Sequence, residues 1–489
     1  MNSVKPMQSE QNQYRKTILF HFWVTCPALA AMVVLPSAAG VVAFLGLIIW
    51  AASKSGLRQA QALGLQFLFM NVNGELFHTP SSGGLHHALP LVILARLVYD
   101  QRLQVQSRLS PFVISLAVVG TSLFFHSLFA SLLPAVSILK VIGFTCYGIA
   151  VVLTFGTCRR DELDEISRWY KGLVGCVILL NAPLMFVSVG RSVNGTGLNG
   201  VLSHPNLLGV FLGISVAALL ANALSARTLH PIGMMVIGLG LLELFFTEAR
   251  GGMMSLVLSL GIWYAAVITG KSNTRAVRIV GRGLLLGVLA LPAVFATSAT
   301  LRQATEKFLS KSGRTSEQGL VANFRRSRGG AIDFHAKIFN RNKMFGQGFQ
   351  VVNSGSRALP EVKYDPIWKT IPISASVENG FMYTSIFAEL GVVGVVPVLF
   401  LFGILTMPLV RCRDNPANVL LLSVFFTNMS EAAFFSPSGI GGWEWQMVAL
   451  YIASYIQLTS VVDLDEEADK LDQDTIETAA DNGVPQLSF

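Results

Sequence analysis

Several groups of residues in this chain have the types and spacing to hold an anionic ligand. Residues 302–378 form a hydrophilic stretch of 77 residues with thirteen Lys/Arg against six Asp/Glu. Within it, Asn-Phe-Arg-Arg-Ser-Arg-Gly-Gly at 323–330 sets Arg325, Arg326 and Arg328 beside two glycines, as an oligophosphate site would, and Arg314 adds to the same basic field. A solvated basic turn, or a loop resting on anionic headgroups, is the plainer reading of that charge. Thr-Glu-Ala-Arg-Gly-Gly at 247–252 puts Arg250 at the end of an apolar run. Its planar fork suits phosphate bidentately, and the glycines let a ligand approach the backbone. The alternative is a structural pair with Glu248. Gly-Val-Leu-Ser-His-Pro-Asn-Leu-Leu-Gly at 200–209 offers His204 to a sugar or phosphate, with Asn206 as a helix cap; a capping turn with an interfacial histidine is the competing reading. The exit of the basic stretch carries Glu378 and Asn379.

The elements that must position these residues are membrane helices. Of the 489 residues 52% are hydrophobic and 13% charged, and mean hydropathy is +0.56. Hydrocarbon about 30 Å thick needs roughly 20 apolar residues per helix. The apolar runs are continuous rather than alternating, which predicts helices and not a barrel. Hydropathy places spans near 17–36, 38–53, 61–77, 85–99, 110–131, 134–156, 171–190, 206–225, 232–247, 252–269, 283–301, 380–410, 417–434 and 441–462. The expectation is therefore an all-α polytopic membrane protein of about 12–14 helices with one large basic extracytoplasmic loop.

Lys/Arg placement orients the chain. With residues 1–16 in the cytoplasm, Lys54, Arg58, Arg102, Arg108, Arg159, Arg160, Arg168, Lys171, Arg227, Lys271, Arg275, Arg278, Arg282, Arg411 and Arg413 fall on that side. The segments 191–205, 248–251, 302–378 and 435–440 then lie outside. The division is 1–16 cytoplasmic, 17–301 spans, 302–378 the extracytoplasmic loop, 379–462 spans, and 463–489 an acidic tail expected to be disordered. Ile332, Phe334, Ile338 and Phe339 are spaced for an amphipathic helix lying on the membrane surface, and Phe-Gly-Gln-Gly at 345–348 reads as a tight turn. The five cysteines fall in spans or on the cytoplasmic side, with no metal-site spacing. No acidic cluster in the outer loops looks like a divalent-cation site, and no phosphate-binding or dinucleotide fingerprint occurs.

In order and on one face, these motifs resemble the O-antigen ligase/polymerase superfamily over roughly 200–394. The Gly-x-x-x-His-Pro-Asn-x-x-Gly turn is similar to the family's, Thr-Glu-Ala-Arg is similar to its Ser-x-Ser-Arg turn with a departure at Ala249, and the arginine-bearing outer loop ends in a Gly-x-Gly turn at 346–348. The closing element reads Glu378-Asn379, eleven residues, then Gly391-x-x-Gly394, two residues longer than the usual spacing. The resemblance implies a bacterial inner-membrane glycosyltransferase of the polysaccharide polymerase type, taking polyprenyl-pyrophosphate-linked oligosaccharide, working without metal or cofactor, with a chain-length-regulating membrane protein as a candidate partner, no role for nucleic acid, and, for the attacking hydroxyl, Glu378 as proton acceptor with Glu248 and His335 in reserve. It implies catalytic roles for Arg250, Arg328 and Glu378, and substrate contacts from His204, Asn206, Glu248, Arg314, Arg325, Arg326, His335 and Asn379. A ligase transferring finished glycan to lipid A core or protein, and a flippase, are the alternatives.

Overall fold

The computed structural model describes residues 17, 20–34, 38–77, 85–102, 107–192, 197–225, 231–269, 329–352, 361–364, 372–376, 380–437 and 439–481. Helices dominate: α1 (Cys26–Val34, entered through a π-helical turn at His21–Thr25), α2 (Ala38–Ser53), α3 (Leu57–Met70), α4 (Leu85–Tyr99), α5 (Ser110–Ala130), α6 (Pro134–Gly156), α7 (Arg160–Leu184), α8 (Pro205–Ser225), α9 (Pro231–Phe246), α10 (Arg250–Thr269), α11 (Gly330–Arg341), α12 (Met382–Arg411), α13 (Asn418–Thr427) and α14 (Ile440–Asp481). Five of the described helices, α5, α6, α8, α10 and α12, are long and apolar enough to cross a membrane, and α1, α2, α4, α9 and α13 are shorter and apolar. Val392, Val396 and Leu399 form an exposed stripe along α12, and Phe129 and Phe186 are exposed as well. Apolar surface of that kind suits hydrocarbon, not water. The molecule has the architecture of a multi-pass membrane protein.

Several boundaries differ from the sequence expectation, each for a local reason. The span expected over 61–77 ends at Met70, where the Asn71 side chain donates to Phe67 O (2.7 Å) and the Asn73 side chain accepts from Glu75 N–H (3.0 Å). The span expected from 171 begins at Arg160; Arg159 N–H donates to Glu162, and Asp161 and Glu162 suit the positive end of a helix. The span expected to 434 stops at Thr427, and α14 continues in helical backbone to Asp481 instead of ending near Val462 before a disordered tail. A two-stranded antiparallel ribbon, β1 (Glu361–Tyr364) with β2 (Pro372–Ser376), adds strand to the expected all-α fold, pairing Glu361 with Ser376. The expected span at 283–301 and the basic stretch 302–328 lie outside the described residues.

Helix ends sort into two groups. At one, Ser55 Oγ donates to Asp100 (2.6 Å), Arg102 pairs with Glu162 (3.3 Å), Gln457 donates to Cys158 O (3.1 Å) and Asn415 to Ser454 (3.2 Å). At the other, Asn73 N–H donates to Val201 O (2.8 Å), Leu198 N–H to Phe246 O (2.9 Å), Leu132 N–H to Gln347 O (2.9 Å) and Met382 N–H to Asn428 O (3.1 Å). The first group holds the basic short loops and the second the glycine-, histidine- and arginine-bearing turns.

Polar contacts lock the bundle between them. Tyr170 OH donates to Gln446 Oε1 (2.7 Å), whose Nε2 donates to Tyr147 OH (2.9 Å) and Leu63 O (3.1 Å), joining α14 to α3, α6 and α7. Ser255 Oγ donates to Ser423 O (2.7 Å) and Thr427 Oγ1 to Ser255 Oγ (3.1 Å), fastening α10 to α13. Hydroxyl pairs between small residues serve where apolar contact alone does not favour helix over lipid.

Candidate functional site

The His-Pro-Asn turn sits on a buried polar base. Asn181, on α7, accepts from Val201 N–H with its Oδ1 (2.8 Å) and donates to Glu243 Oε2 of α9 (3.3 Å). Asn73 donates to Gly200 O (3.0 Å) from the other side. Asn206 does not cap the following helix, contrary to the sequence expectation. α8 starts at Pro205, whose missing N–H suits a first helical position, so His204 takes the capping place and its Nδ1 accepts Asn206 N–H (3.1 Å). The histidine is exposed and has the capping role of the plainer reading. That frees the Asn206 side chain, which donates to Glu431 Oε1 (2.9 Å).

The Thr-Glu-Ala-Arg turn lies beside it. Thr247 Oγ1 donates to Leu244 O (2.7 Å) and accepts from Ala249 N–H (3.1 Å), closing the turn. Glu248 has φ 54°, a left-handed conformation that a side chain adopts at a cost. Arg250, half-buried, is the first residue of α10. A cation at a helix N-terminus opposes the helix dipole by about 0.3–1 kcal/mol.

Close backbone contact brings the two turns together. A Cβ on Gly209 would run into Ala249, and one on Gly213 or Gly252 would run into the facing backbone. Ala249, the departure from the resembled motif, is buried where a larger side chain has no room. Gly251 meets Ser430 in the same way. The segment after α13 thus packs on α10 and carries Glu431 to Asn206. It is shaped by Asn428, whose Oδ1 accepts from Ala433 and Phe434 N–H (both 3.0 Å) and whose Nδ2 donates to buried Glu444 (2.9 Å).

Glu431, Asn428, Glu444, Asn181 and Glu243 are participants that sequence reasoning missed. Hydropathy had absorbed 428–434 into a span, hiding the carboxylate. Asn428 followed three residues later by Glu431 at the end of an apolar run was the signal available.

The far arm of the basic loop reaches the same end of the bundle. The amphipathic helix forms as α11, but its apolar side packs on protein: Ile338 and Phe334 meet Val352 and Ala388 of α12. His335 is buried, with Nδ1 2.8 Å from Thr384 Oγ1, a position different from an exposed base on the surface. The turn after it is inserted into the bundle. Gly348 N–H donates to Glu389 O (2.8 Å), Gln350 N–H to Glu389 Oε2 (2.9 Å) and Lys140 Nζ to Gln350 O (3.0 Å), while Phe349 and Val351 are buried. α12 kinks at Gly391 (φ 60°, ψ −170°), where a Cβ would strike Met344. The first glycine of the Gly-x-x-Gly element makes room for this turn, and Gly394 lies against His126. Arg314, Arg325, Arg326, Arg328, Glu378 and Asn379 lie outside the described residues.

A cavity of about 380 Å³ adjoins the cluster, lined among others by Gln66, Lys140, Tyr147, Ser385, Glu389 and Ala432, the neighbour of Glu431. At this end of the molecule the chain therefore offers a cation, carboxylates, amides and a partly open cavity of mixed polar and apolar lining. Searches of protein-family models and of curated proteins found no match to this chain.

Proposed function

We propose that this protein is a polysaccharide polymerase of the bacterial inner membrane, joining polyprenyl-pyrophosphate-linked oligosaccharide units on the outer face. The observation that carries the reading is the meeting of Asn206, Glu431 and the 247–250 turn at the helix ends where the far arm of the basic loop also docks. In this reaction an acceptor hydroxyl oxygen bonds to the donor's anomeric carbon as the bond from that carbon to the pyrophosphate oxygen breaks. The hydroxyl proton passes to a carboxylate, and the lipid pyrophosphate leaves with the electron pair. Charge builds on the leaving group, so Arg250, with Arg328 from the basic loop, stabilises the transition state more than the ground state. Glu378 takes the proton, and Glu431 with Asn206 orients the acceptor sugar by hydrogen bonds.

The test is deletion of the gene followed by analysis of lipid-linked glycans. The polymerase reading expects single lipid-linked units and no polymer. Accumulation of full-length lipid-linked polymer would assign the ligase instead, and absence of outer-leaflet units would assign a flippase.

A further inference from the structure

A second cavity, of about 190 Å³, lies at the other end of the bundle, among the basic short loops, in the gap between α7, α8, the start of α13 and α14. Its lining changes with depth. Asp164 of α7, Asn222 of α8 and Ser454 of α14 stand nearest the helix ends. Ser167 and Lys171 follow along α7, and Leu219, Leu420 and Leu450 lie further in. Asp164 and Lys171 share one face of α7, and at 1.5 Å per residue Lys171 stands about 10 Å deeper. Asp164 is exposed, and Ser167, Lys171 and Asn222 are half-buried, so these groups are open to a ligand. Among the described residues the Asp164 carboxylate meets no cation and the Ser167 hydroxyl no hydrogen-bond partner. Asn222 donates from Nδ2 to Ala218 O of its own helix (2.8 Å), which fixes the orientation of its amide and leaves Oδ1 to accept.

We propose that this cavity binds the headgroup of a zwitterionic phospholipid, phosphatidylethanolamine, from the leaflet at the basic end of the bundle. The order of groups in that lipid matches the order along the cavity: acyl chain innermost, then phosphate, then ammonium. The start of the chain lies against Leu219, Leu420 and Leu450. The phosphate accepts from Lys171 and Ser167, and the ammonium donates to the Asp164 carboxylate and Asn222 Oδ1. Lys171 has the long apolar stem and compact charge that suit a phosphate at the edge of hydrocarbon. A phosphatidylglycerol headgroup matches less well, because it brings no cation to Asp164. The volume is below the range of about 300–1,000 Å³ that holds drug-sized ligands, and suits a headgroup with its chain left in the bilayer. The cavity lies at the opposite end of the molecule from the His-Pro-Asn turn, so the inference does not need the polymerase reading; the deletion experiment can fail while this one succeeds.

The experiment uses the full chain in phosphatidylglycerol nanodiscs. The probe is phosphatidylethanolamine with a photoreactive group at the start of one acyl chain, and crosslinks are mapped by mass spectrometry. Labelling is expected on the stretches of α7, α8, α13 and α14 that line the cavity, displaced by unlabelled phosphatidylethanolamine. The same probe with a phosphatidylglycerol head should label them no more than other apolar helix surfaces. Asp164→Asn alters an exposed side chain and should leave folding intact. It should weaken phosphatidylethanolamine labelling about two- to fivefold, the worth of an exposed ion pair, and leave the phosphatidylglycerol background unchanged. Ala218→Trp should fill the cavity and abolish the labelling, with Ser167→Trp as a second occluding variant should the first fail to fold. Labelling that persists in a folded occluding variant, or equal labelling by the phosphatidylglycerol probe, overturns the proposal. Displacement by soluble glycerophosphoethanolamine as effective as by the lipid overturns it too, by assigning the cavity to a soluble zwitterion.

Discussion

Gly391→Ala tests how the basic loop is held to the membrane helices. The residue sits at φ 60° inside α12, and an added Cβ meets the Met344 carbonyl and Phe345 N, which are backbone atoms unable to swing aside. The left-handed conformation alone costs a side chain about 1–2 kcal/mol. Displacing the 344–348 turn also breaks hydrogen bonds among Val392 N–H to Lys343 O (2.9 Å), Val393 N–H to Met344 O (3.1 Å) and Gly348 N–H to Glu389 O (2.8 Å). Two such losses at about 0.5–1.5 kcal/mol each bring the total to about 2–5 kcal/mol. Gly403, on the same helix with nothing within 4 Å of a built Cβ, is the control. Gly403→Ala should be neutral or stabilise by about 0.5–1 kcal/mol, because alanine loses less entropy in a helix. The assay is thermal unfolding in nanodiscs together with limited proteolysis across 342–352. Gly391→Ala should unfold several degrees lower and be cut sooner in that segment. Unchanged unfolding and protection would refute the claim that the kink docks the loop.

Other outcomes follow from the same structure. Arg250→Lys keeps the charge but loses the fork, and should lower polymer synthesis by about 2–4 kcal/mol in barrier, tens- to several-hundred-fold, with little change in folding. Near wild-type synthesis by a double variant with Arg250 and Glu248 both neutral would remove Arg250 from the chemistry. Reporter fusions at Gly313 and Gly355 should be non-cytoplasmic and those at Arg413 and after Val462 cytoplasmic; a cytoplasmic signal at 313 would overturn the orientation. Burial pushes the Asp100 carboxyl up, but hydrogen bonds from Ser55 and Arg96 outweigh it and hold the group below its usual range. Its ionised form therefore stabilises the fold above about pH 4 and loses that contribution as pH falls through the depressed value. Asp100→Asn should lower the unfolding temperature at pH 7 and flatten its fall at acid pH; an identical pH profile for both proteins would contradict this.

The sequence by itself determined the membrane class, most helix positions and the sorting of helix ends, because continuous apolar runs and Lys/Arg placement are local signals that lipid enforces. It also singled out the His-Pro-Asn and Thr-Glu-Ala-Arg turns, where proline, glycine and an arginine at the edge of hydrocarbon interrupt those runs. Only the tertiary structure decided what they touch. Asn206 reads as a cap until Pro205 starts the helix and Glu431 arrives from 225 residues away. Glu431 was hidden because hydropathy averaged over 417–434 carries the segment after Thr427 along with the helix, although Asn428 and Glu431 break the apolar run. The insertion of the 345–352 turn likewise depends on Gly391, Glu389 and Lys140, which lie on two different helices. Hydropathy reports the solvent each segment prefers, whereas the partners of a polar group depend on which helices pack side by side.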